Sequence, residues 1–509
     1  MFYDILMPDR LGFRITLRFA ALSGMTREEN KMKYWSRKPQ ISVCLEGDNN
    51  AILFDPDTGL EKVINATGLI VWQAMDGKAS TDALAQTLAD CCDIPVNNEI
   101  LSDVTEFSDE LLNEGFAVAQ EAPAEKPAAP EAYSNIADAP RDFDLSLTGK
   151  CNLHCAYCFY HDEMASRPDL SLEEWLTFFD ELKRLGVRDA TLSGGEVFVR
   201  PDLWALIDGL VDSRMRYSIL SNGTLVNEKT LSEFEKNKRR RRLTSIQVSI
   251  DGSRAEIHDK SRGAGSFEKA LRGLRLLKEA GFPVTVRVTV NRYNVEDLDH
   301  IARLLLDDVG LSGFGTNDAM PMGSGCDNQK DIVLTAQQQV LAMKTLARLQ
   351  RHYNGRITAT AGPLAKWHSY REMEKARKTG AKSLRWKMGY LTACGCVFNK
   401  LSVHPDGIIT PCNMLTKLTL GHINRETLTD IWKGHPVLKA LKDRRGIPMT
   451  SVPGCEDCEW AAFCNGSCPG LAYEMTGDVN RANPHDCYRR FKEQTLVFDE
   501  RFLDELANG

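Results

Sequence analysis

The sequence has no apolar run near the roughly 20 residues that a membrane-spanning helix needs, although 43% of its 509 residues are hydrophobic. A membrane partner is therefore not expected. It also lacks an export signal. Met1 to Phe19 holds scattered Arg10, Arg14 and Arg18, but no apolar core segment and no small-residue cleavage site. A cytoplasmic location is expected. Excess positive charge is missing too. The net charge is −7 and the pI is near 5.9, which gives no global signature of nucleic-acid binding. The one basic run, Lys238 to Arg242, carries no interleaved aromatics and reads as a solvated loop face.

Cysteine, in contrast, is abundant: fifteen residues. A large chain without an export signal is not a secreted disulfide scaffold, and tight Cys spacings in a reducing compartment argue for metal. Eleven fall into two constellations. The first is Cys151-Asn-Leu-His-Cys155-Ala-Tyr-Cys158. The second runs from Cys394 and Cys396 through Cys412, Cys455, Cys458, Cys464 and Cys468 to Cys487. Thiolates so spaced can converge on iron–sulfur clusters. Three ligands in the first set leave one iron open, where a substrate can bind.

The length implies about three domains. Residues 1–39 form an N-terminal extension without a motif, with Met32 as an alternative start. Residues 40–120 read as a small α+β unit, with strands at 41–45, 51–55 and 61–65, helices at 67–74, 81–91 and 97–115, and Gly77 as a helix stop. Fifteen carboxylates in that unit face only Lys62 and Lys78. Residues 121–141 are a Pro/Ala linker, expected to be extended. From 142 to 375 strands alternate with helices. Strands are expected at 143–147, 189–193, 216–221, 245–250 and 284–290, with helices at 171–185, 266–280 and 296–306. Such βα repeats imply a parallel sheet or barrel with its site at the C-terminal strand ends. Residues 376–509 are rich in Gly, Pro and Cys, as suits a small domain organised by clusters.

Cys151-x3-Cys155-x2-Cys158 after the first strand of this region, with Gly194-Gly195-Glu196 some forty residues on, resembles the radical S-adenosylmethionine superfamily. The resemblance implies an α/β fold, a partial (β/α)6 barrel. It also implies a [4Fe–4S] cluster whose open iron chelates S-adenosylmethionine, the source of a 5′-deoxyadenosyl radical. Gly194, Gly195 and Glu196 would hold the methionine ammonium, and Tyr157 would pack on adenine. Ser249 and Arg262 would approach the ribose or carboxylate. Asn222 is read equally as a turn former.

The later cysteines fit the seven-cysteine pattern of SPASM domains, which hold two auxiliary [4Fe–4S] clusters. By that resemblance Cys396, Cys412 and Cys468 ligate one, with Cys394 as the near candidate for its fourth ligand and an open iron that could hold a substrate thiolate as the alternative, and Cys455, Cys458, Cys464 and Cys487 ligate the other. Three clusters are thus expected. Sulfatase-maturing relatives place a basic Asp where this chain has Asn413, which cannot act as that base. Residues 40–120, through Phe54-Asp-Pro-Asp-Thr-Gly59, Ile64-Asn-Ala-Thr-Gly68, Val71-Trp72, Asp76-Gly77 and the Leu84/Leu88 stripe, resemble the PqqD-like family, a small winged-helix-like peptide-recognition domain. That implies a precursor peptide held through its leader as an added strand.

The resemblances together imply a maturase that forms a thioether or carbon–carbon crosslink in the core peptide. Oxidation of a protein side chain and a non-catalytic, peptide-recruiting scaffold are the alternatives. A flavodoxin or ferredoxin is the expected electron donor. Cys326 is read either as a catalytic or substrate-contacting thiol or as an incidental loop cysteine. Cys44, Cys91 and Cys92 are expected to pack within the small unit.

Overall fold

The computed structural model describes residues 32–46, 50–128, 133–160 and 165–508. Most of the expected N-terminal extension, with the segment read for an export signal, lies outside them, as do linker residues 129–132. Among the described residues no helix is long and apolar enough to cross a membrane.

The chain forms two compact units. The first takes the described residues up to Ser36 together with Ala74–Ala128. Its three-stranded sheet has the order β5–β1–β6, with β1 at Tyr34–Arg37, β5 at Asp76–Ser80 and β6 at Ala117–Gln120. Helices Thr81–Cys92 and Asn98–Asn113 carry their apolar faces inward, through Leu84, Leu88, Val104 and Leu111. Ser80 and Asn97 cap them, accepting from the N–H groups of Ala83 and Ile100. Gly77 is not a helix stop. It lies within β5 at φ 91°, where its missing side chain leaves room for Ala124. Cys91 is exposed and so does not pack, and Cys92 is half-buried.

The second unit combines Arg37–Gln73 with Ala129–Gly509. Strands β2 (Ser42–Glu46), β3 (Asn50–Phe54) and β4 (Glu61–Asn65) form an antiparallel meander, in which Cys44 is buried. Part of the expected linker, β7 at Ser134–Asn135, pairs parallel to β2 and covers its edge. Arginines at the N-terminal ends of the large sheet's strands clasp this meander. Arg188 pairs with Glu61 at 3.0 Å, and Arg242 with Asp57 at 2.6 Å. The basic run is therefore only in part a solvated face, with Lys238 and Arg241 exposed. Arg239–Arg242 form one helical turn with Arg239 and Arg242 buried. Arg239 meets Asp208 and Glu233, each at 2.7 Å. Carboxylates both near in sequence, Glu233 and Glu235, and distant, Asp57 and Asp208, pair with the run.

Among the described residues the large sheet has ten strands. Seven run parallel in sequence order: β8 (Asp142–Thr148), β9 (Asp189–Gly194), β10 (Arg216–Ser221), β11 (Leu243–Ser249), β12 (Val284–Val290), β13 (Phe314–Asp318) and β14 (Ile357–Ala359). Beyond β8 the sheet continues into β15 (Lys400–Val403), β16 (Ile408–Thr410) and β17 (Gly421–His422). It stays open, a partial barrel that the C-terminal region extends by three strands. Its helices follow the usual rules. Leu172–Arg184 starts with a Ser171/Glu174 capping box and buries Trp175, Phe178, Phe179 and Leu182 on one stripe.

Candidate active site

The site is built on the loop after β8. Cys151, Cys155 and Cys158 sit there, and neighbouring strand ends hold the loop in place. Gly195 N–H donates to the Thr148 carbonyl and Glu196 N–H to the Lys150 carbonyl, both at 2.9 Å. Ala156 N–H reaches the Ser261 carbonyl at 2.8 Å, and Ser324 N–H reaches that of Cys158 at 2.9 Å. Gly194 and Gly195 are required by this approach. A Cβ at 194 would stand 2.3 Å from the Thr148 oxygen, and one at 195 would stand 2.2 Å from the Lys150 oxygen. Gly194 also takes φ 132°.

All three cysteines line one cavity of about 250 Å³, with Tyr157, Gly194, Gly195, Ser249, Arg262 and Asn222 also in its wall. Burial raises each of the Cys151 and Cys155 thiols, the latter to about 11, and the proximity of Cys158 adds to both shifts. Arg262 pulls Cys155 back down. Three soft donors crowded at one cavity wall are a chemical match to an iron–sulfur cluster. Among the described residues no three His, Cys, Asp or Glu side chains stand close enough for a single ion. A cubane places each thiolate on a different iron, so its ligands stand wider apart than those of one ion. The donor set fits the cluster, and the residues that would hold it are Cys151, Cys155 and Cys158.

Glu196 is brought to the same region but not into the cavity wall. Its carboxylate is buried and accepts from Asn222 N–H at 2.7 Å, Ser221 Oγ at 2.9 Å and Phe198 N–H at 3.2 Å. It thereby fixes the strand end that presents Asn222. Asn222 is both turn former and wall residue. Its Oδ1 accepts from Thr224 N–H at 2.9 Å, and its Nδ2 donates to Asn152 of the cysteine loop at 2.9 Å.

The fully buried Asp251 was missed by the sequence reading. It lies two residues past Ser249, and its carboxylate accepts from Arg262 Nε at 2.5 Å, from Thr289 N–H at 2.7 Å and from the Tyr157 hydroxyl. Burial pushes the Tyr157 phenol well up, so it stays protonated and donates. Asp251 thus orients both the aromatic ring and the guanidinium of the cavity wall. The detectable signal was an acidic residue at a parallel-strand terminus.

The C-terminal cysteines fall into two groups. Cys394 Sγ stands 3.3 Å from Cys396 Sγ. The hydrogen bond with Cys394 lowers the Cys396 thiol, but Cys412, burial and Cys468 outweigh it and push that thiol up to about 12. Cys455, Cys458 and Cys487 are mutually close to Cys464, which burial pushes to about 11. Each group holds four thiols, matching the donor count of a closed cluster. Asn413, next to Cys412, reaches the wall of the first cavity, and its Oδ1 is buried without a partner. Cys326 is not in that wall. It is exposed, and its Sγ donates to the Pro321 carbonyl at 2.9 Å.

A thiol-lined cavity at the C-terminal ends of an open parallel sheet, followed by two four-thiol groups, defines a class of iron–sulfur enzyme. The model of the Radical SAM superfamily matches residues 145–305, that of an iron-sulfur cluster-binding domain (SPASM) matches 394–459, and that of coenzyme PQQ synthesis protein D matches 50–117. The AdoMet-dependent heme synthase of Methanosarcina barkeri (strain Fusaro / DSM 804) is 30% identical over 70% of this chain and 99% of its own length. The PqqA peptide cyclase of Granulibacter bethesdensis (strain ATCC BAA-1260 / CGDNIH1) is 28% identical over 68% and 85%. Among solved structures, Streptococcus suis SuiB bound to precursor peptide SuiA covers 89% of this chain and 100% of its own, at 13% identity and a TM-score of 0.59, which shows the shared fold. The chain belongs to the radical SAM superfamily, as an enzyme of its SPASM branch with a PqqD-like domain. Family membership implies S-adenosylmethionine and iron–sulfur clusters as cofactors.

Proposed function

We propose that this enzyme modifies a ribosomally made precursor peptide. The observation that carries the reading is the PqqD-like match at 50–117 in the same chain as the radical SAM and SPASM matches. Among the described residues no strand pairs with the outer edge of β4, while β7 takes the edge of β2. A leader adding to the β4 edge would gain backbone hydrogen bonds. Tethering would raise the local concentration of the core peptide.

S-adenosylmethionine bound at the first cluster supplies a 5′-deoxyadenosyl radical for hydrogen abstraction. The residues of the chain do the rest. Cys151, Cys155 and Cys158 hold the cluster, and Gly194 and Gly195 let the cysteine loop close on the sheet. Tyr157, Ser249 and Arg262 orient the cofactor, with Glu196 and Asp251 as the positioning residues behind them. The product is a thioether or carbon–carbon crosslink, and the eight C-terminal thiols would hold two auxiliary clusters, which would offer a sink for the surplus electron. A flavodoxin or ferredoxin reduces the enzyme, in the cytoplasm.

A second reading, a tetrapyrrole substrate, is favoured by the 30% identity to a heme synthase over nearly that protein's whole length. Anaerobic co-expression with any short open reading frame found beside this gene, followed by mass spectrometry of its product, separates the two. A loss of two hydrogens per crosslink supports the peptide reading. An unmodified precursor, with 5′-deoxyadenosine formed only when a tetrapyrrole is added, overturns it.

A further inference from the structure

Among the described residues, buried arginines in this fold come with carboxylates, except Arg444, whose guanidinium donates to the backbone carbonyls of Thr392, Val479 and Arg481. Arg188, Arg200, Arg239, Arg242 and Arg262 each stand within 3.0 Å of an Asp or Glu oxygen. Arg287 on β12 does not. It is half-buried, burial alone disfavours its charge, and among the described residues no carboxylate pairs with it. Its recorded partner is neutral: Nε donates to Gln247 Oε1 at 3.2 Å. A desolvated cation with neither a counter-charge nor a set of carbonyls around its fork is costly unless a ligand supplies a partner.

The position of Arg287 is specific. It is the register partner of Ser249 on β11, and Gln247 and Ser249 both line the thiol cavity. Its guanidinium lies over Gly315 of β13, where a Cβ would come within 3.0 Å of Nη1. Glycine there leaves the room that the fork occupies. Two residues further along β13, on the same face, Asn317 Oδ1 is buried with no partner. Turned over, that amide presents N–H donors instead. The two Nη groups remain available as a planar fork, the geometry that grips a carboxylate bidentately. One guanidinium flanked by neutral amides matches a single negative charge rather than a phosphate dianion.

We propose that Arg287 is the receptor for a carboxylate of the substrate, docking it beside the cofactor cavity. The inference rests on the peptide reading for the source of that group, which is an acidic side chain or the C-terminus of the core peptide. On the tetrapyrrole reading the same fork takes a propionate.

The test is calorimetric titration of the S-adenosylmethionine-loaded holoenzyme with four probes. They are acetyl-Gly-Glu-Gly-amide, its neutral Gln twin, acetyl-Gly-Gly-Gly with a free C-terminus, and sodium propionate. A charged hydrogen bond predicts that at least one carboxylate probe binds about 10-fold tighter than the neutral peptide. R287Q should abolish that preference, R287K should keep part of it, and G315A, which crowds the guanidinium without removing it, should weaken it. The probe that wins names the source. Because propionate binding needs no peptide, the receptor is read independently of whether a precursor is modified. Equal binding of charged and neutral probes overturns the proposal, as does a preference that survives R287Q. Loss of S-adenosylmethionine affinity in R287Q with no carboxylate preference in the wild type would assign the guanidinium to the cofactor and also overturn it.

Discussion

Asp251 and Arg262 form a buried ion pair, with Nε and Oδ2 2.5 Å apart, at the wall of the thiol cavity. The same carboxylate accepts from Tyr157 and from the Thr289 amide, so one side chain fixes two cavity residues. Asp251→Asn keeps the shape and removes the charge, leaving Arg262 buried without its counter-ion. Removing one member of a buried pair costs about 3–5 kcal/mol. Denaturant unfolding of the variant should show a loss of that size. S-adenosylmethionine binding should weaken as well, because Tyr157 and Arg262 lose their anchor. Unchanged stability and unchanged cofactor affinity would remove Asp251 from the positioning role.

The Asp57–Arg242 pair makes a second, independent prediction. Both side chains are buried, and the pair joins the β2–β4 meander to the large sheet. Asp57→Ala strands a guanidinium and should cost about 3–5 kcal/mol, while adding Arg242→Met should recover part of that loss. A double-mutant cycle in urea measures the coupling. Deleting residues 1–125 removes Asp57 and Glu61 together, so the truncated enzyme should be destabilised before any question of peptide binding arises. Leader recognition is better tested with point changes on the outer edge of β4.

Cys394→Ala addresses the first C-terminal thiol group. Cys394 holds φ 58°, which is uncommon outside glycine, and brings its sulfur to 3.3 Å from that of Cys396. If the four thiols bind one cluster, anaerobic reconstitution of the variant should yield up to about four fewer irons per chain, with a changed electron paramagnetic resonance spectrum. An unchanged iron count and spectrum would leave Cys394 outside the ligand set.

Asp142 at the start of β8 carries a raised pKa of about 6, caused by burial and then by Asp189, with Lys400 and Arg141 opposing. The folded value lies above the unfolded one, so the folded state holds the proton more tightly. The stability this group contributes is present below about pH 4 and is lost as the pH rises through 6. Asp142→Asn should therefore raise the melting temperature at pH 8, and the gain should shrink as the pH falls towards 5. A gain independent of pH would point to a different cause.

Much of the site was legible because its signals are local. Two cysteine spacings, one Gly-Gly-Glu at a strand end and the βα alternation are all contained in short windows, and β10 and β12 fall where the alternation places them. What was missed depends on partners far along the chain. Lys238–Arg242 reads as a solvated run until Asp57 and Asp208 are brought to it. Strand β7 forms inside a Pro/Ala-rich linker because β2 offers an edge. Strand β5, Asp-Gly-Lys-Ala-Ser, has no apolar alternation of its own and exists through pairing with β1. Asp251 announced itself only by standing at a strand end, and its three donors come from three separate segments.

The glycine pair gives the sharpest test of how the cysteine loop is seated. At Gly195 an added methyl would lie 2.2 Å from the Lys150 carbonyl oxygen and 2.9 Å from the Cys151 Cβ. Neither neighbour is the free end of a flexible side chain, so the loop itself must move. Gly195→Ala should displace Cys151 and prevent assembly of the first cluster, while leaving the C-terminal thiol groups intact. Gly434, at the end of a short helix, has nothing within 4 Å of an added Cβ, so Gly434→Ala serves as the control and should change stability by no more than about 1 kcal/mol. Iron content and S-adenosylmethionine binding measured on both variants separate the effects. A drop of up to about four irons per chain in Gly195→Ala alone is the expected result. Full iron loading with normal cofactor affinity in Gly195→Ala would mean that the close approach of the two loops is not what seats the cluster.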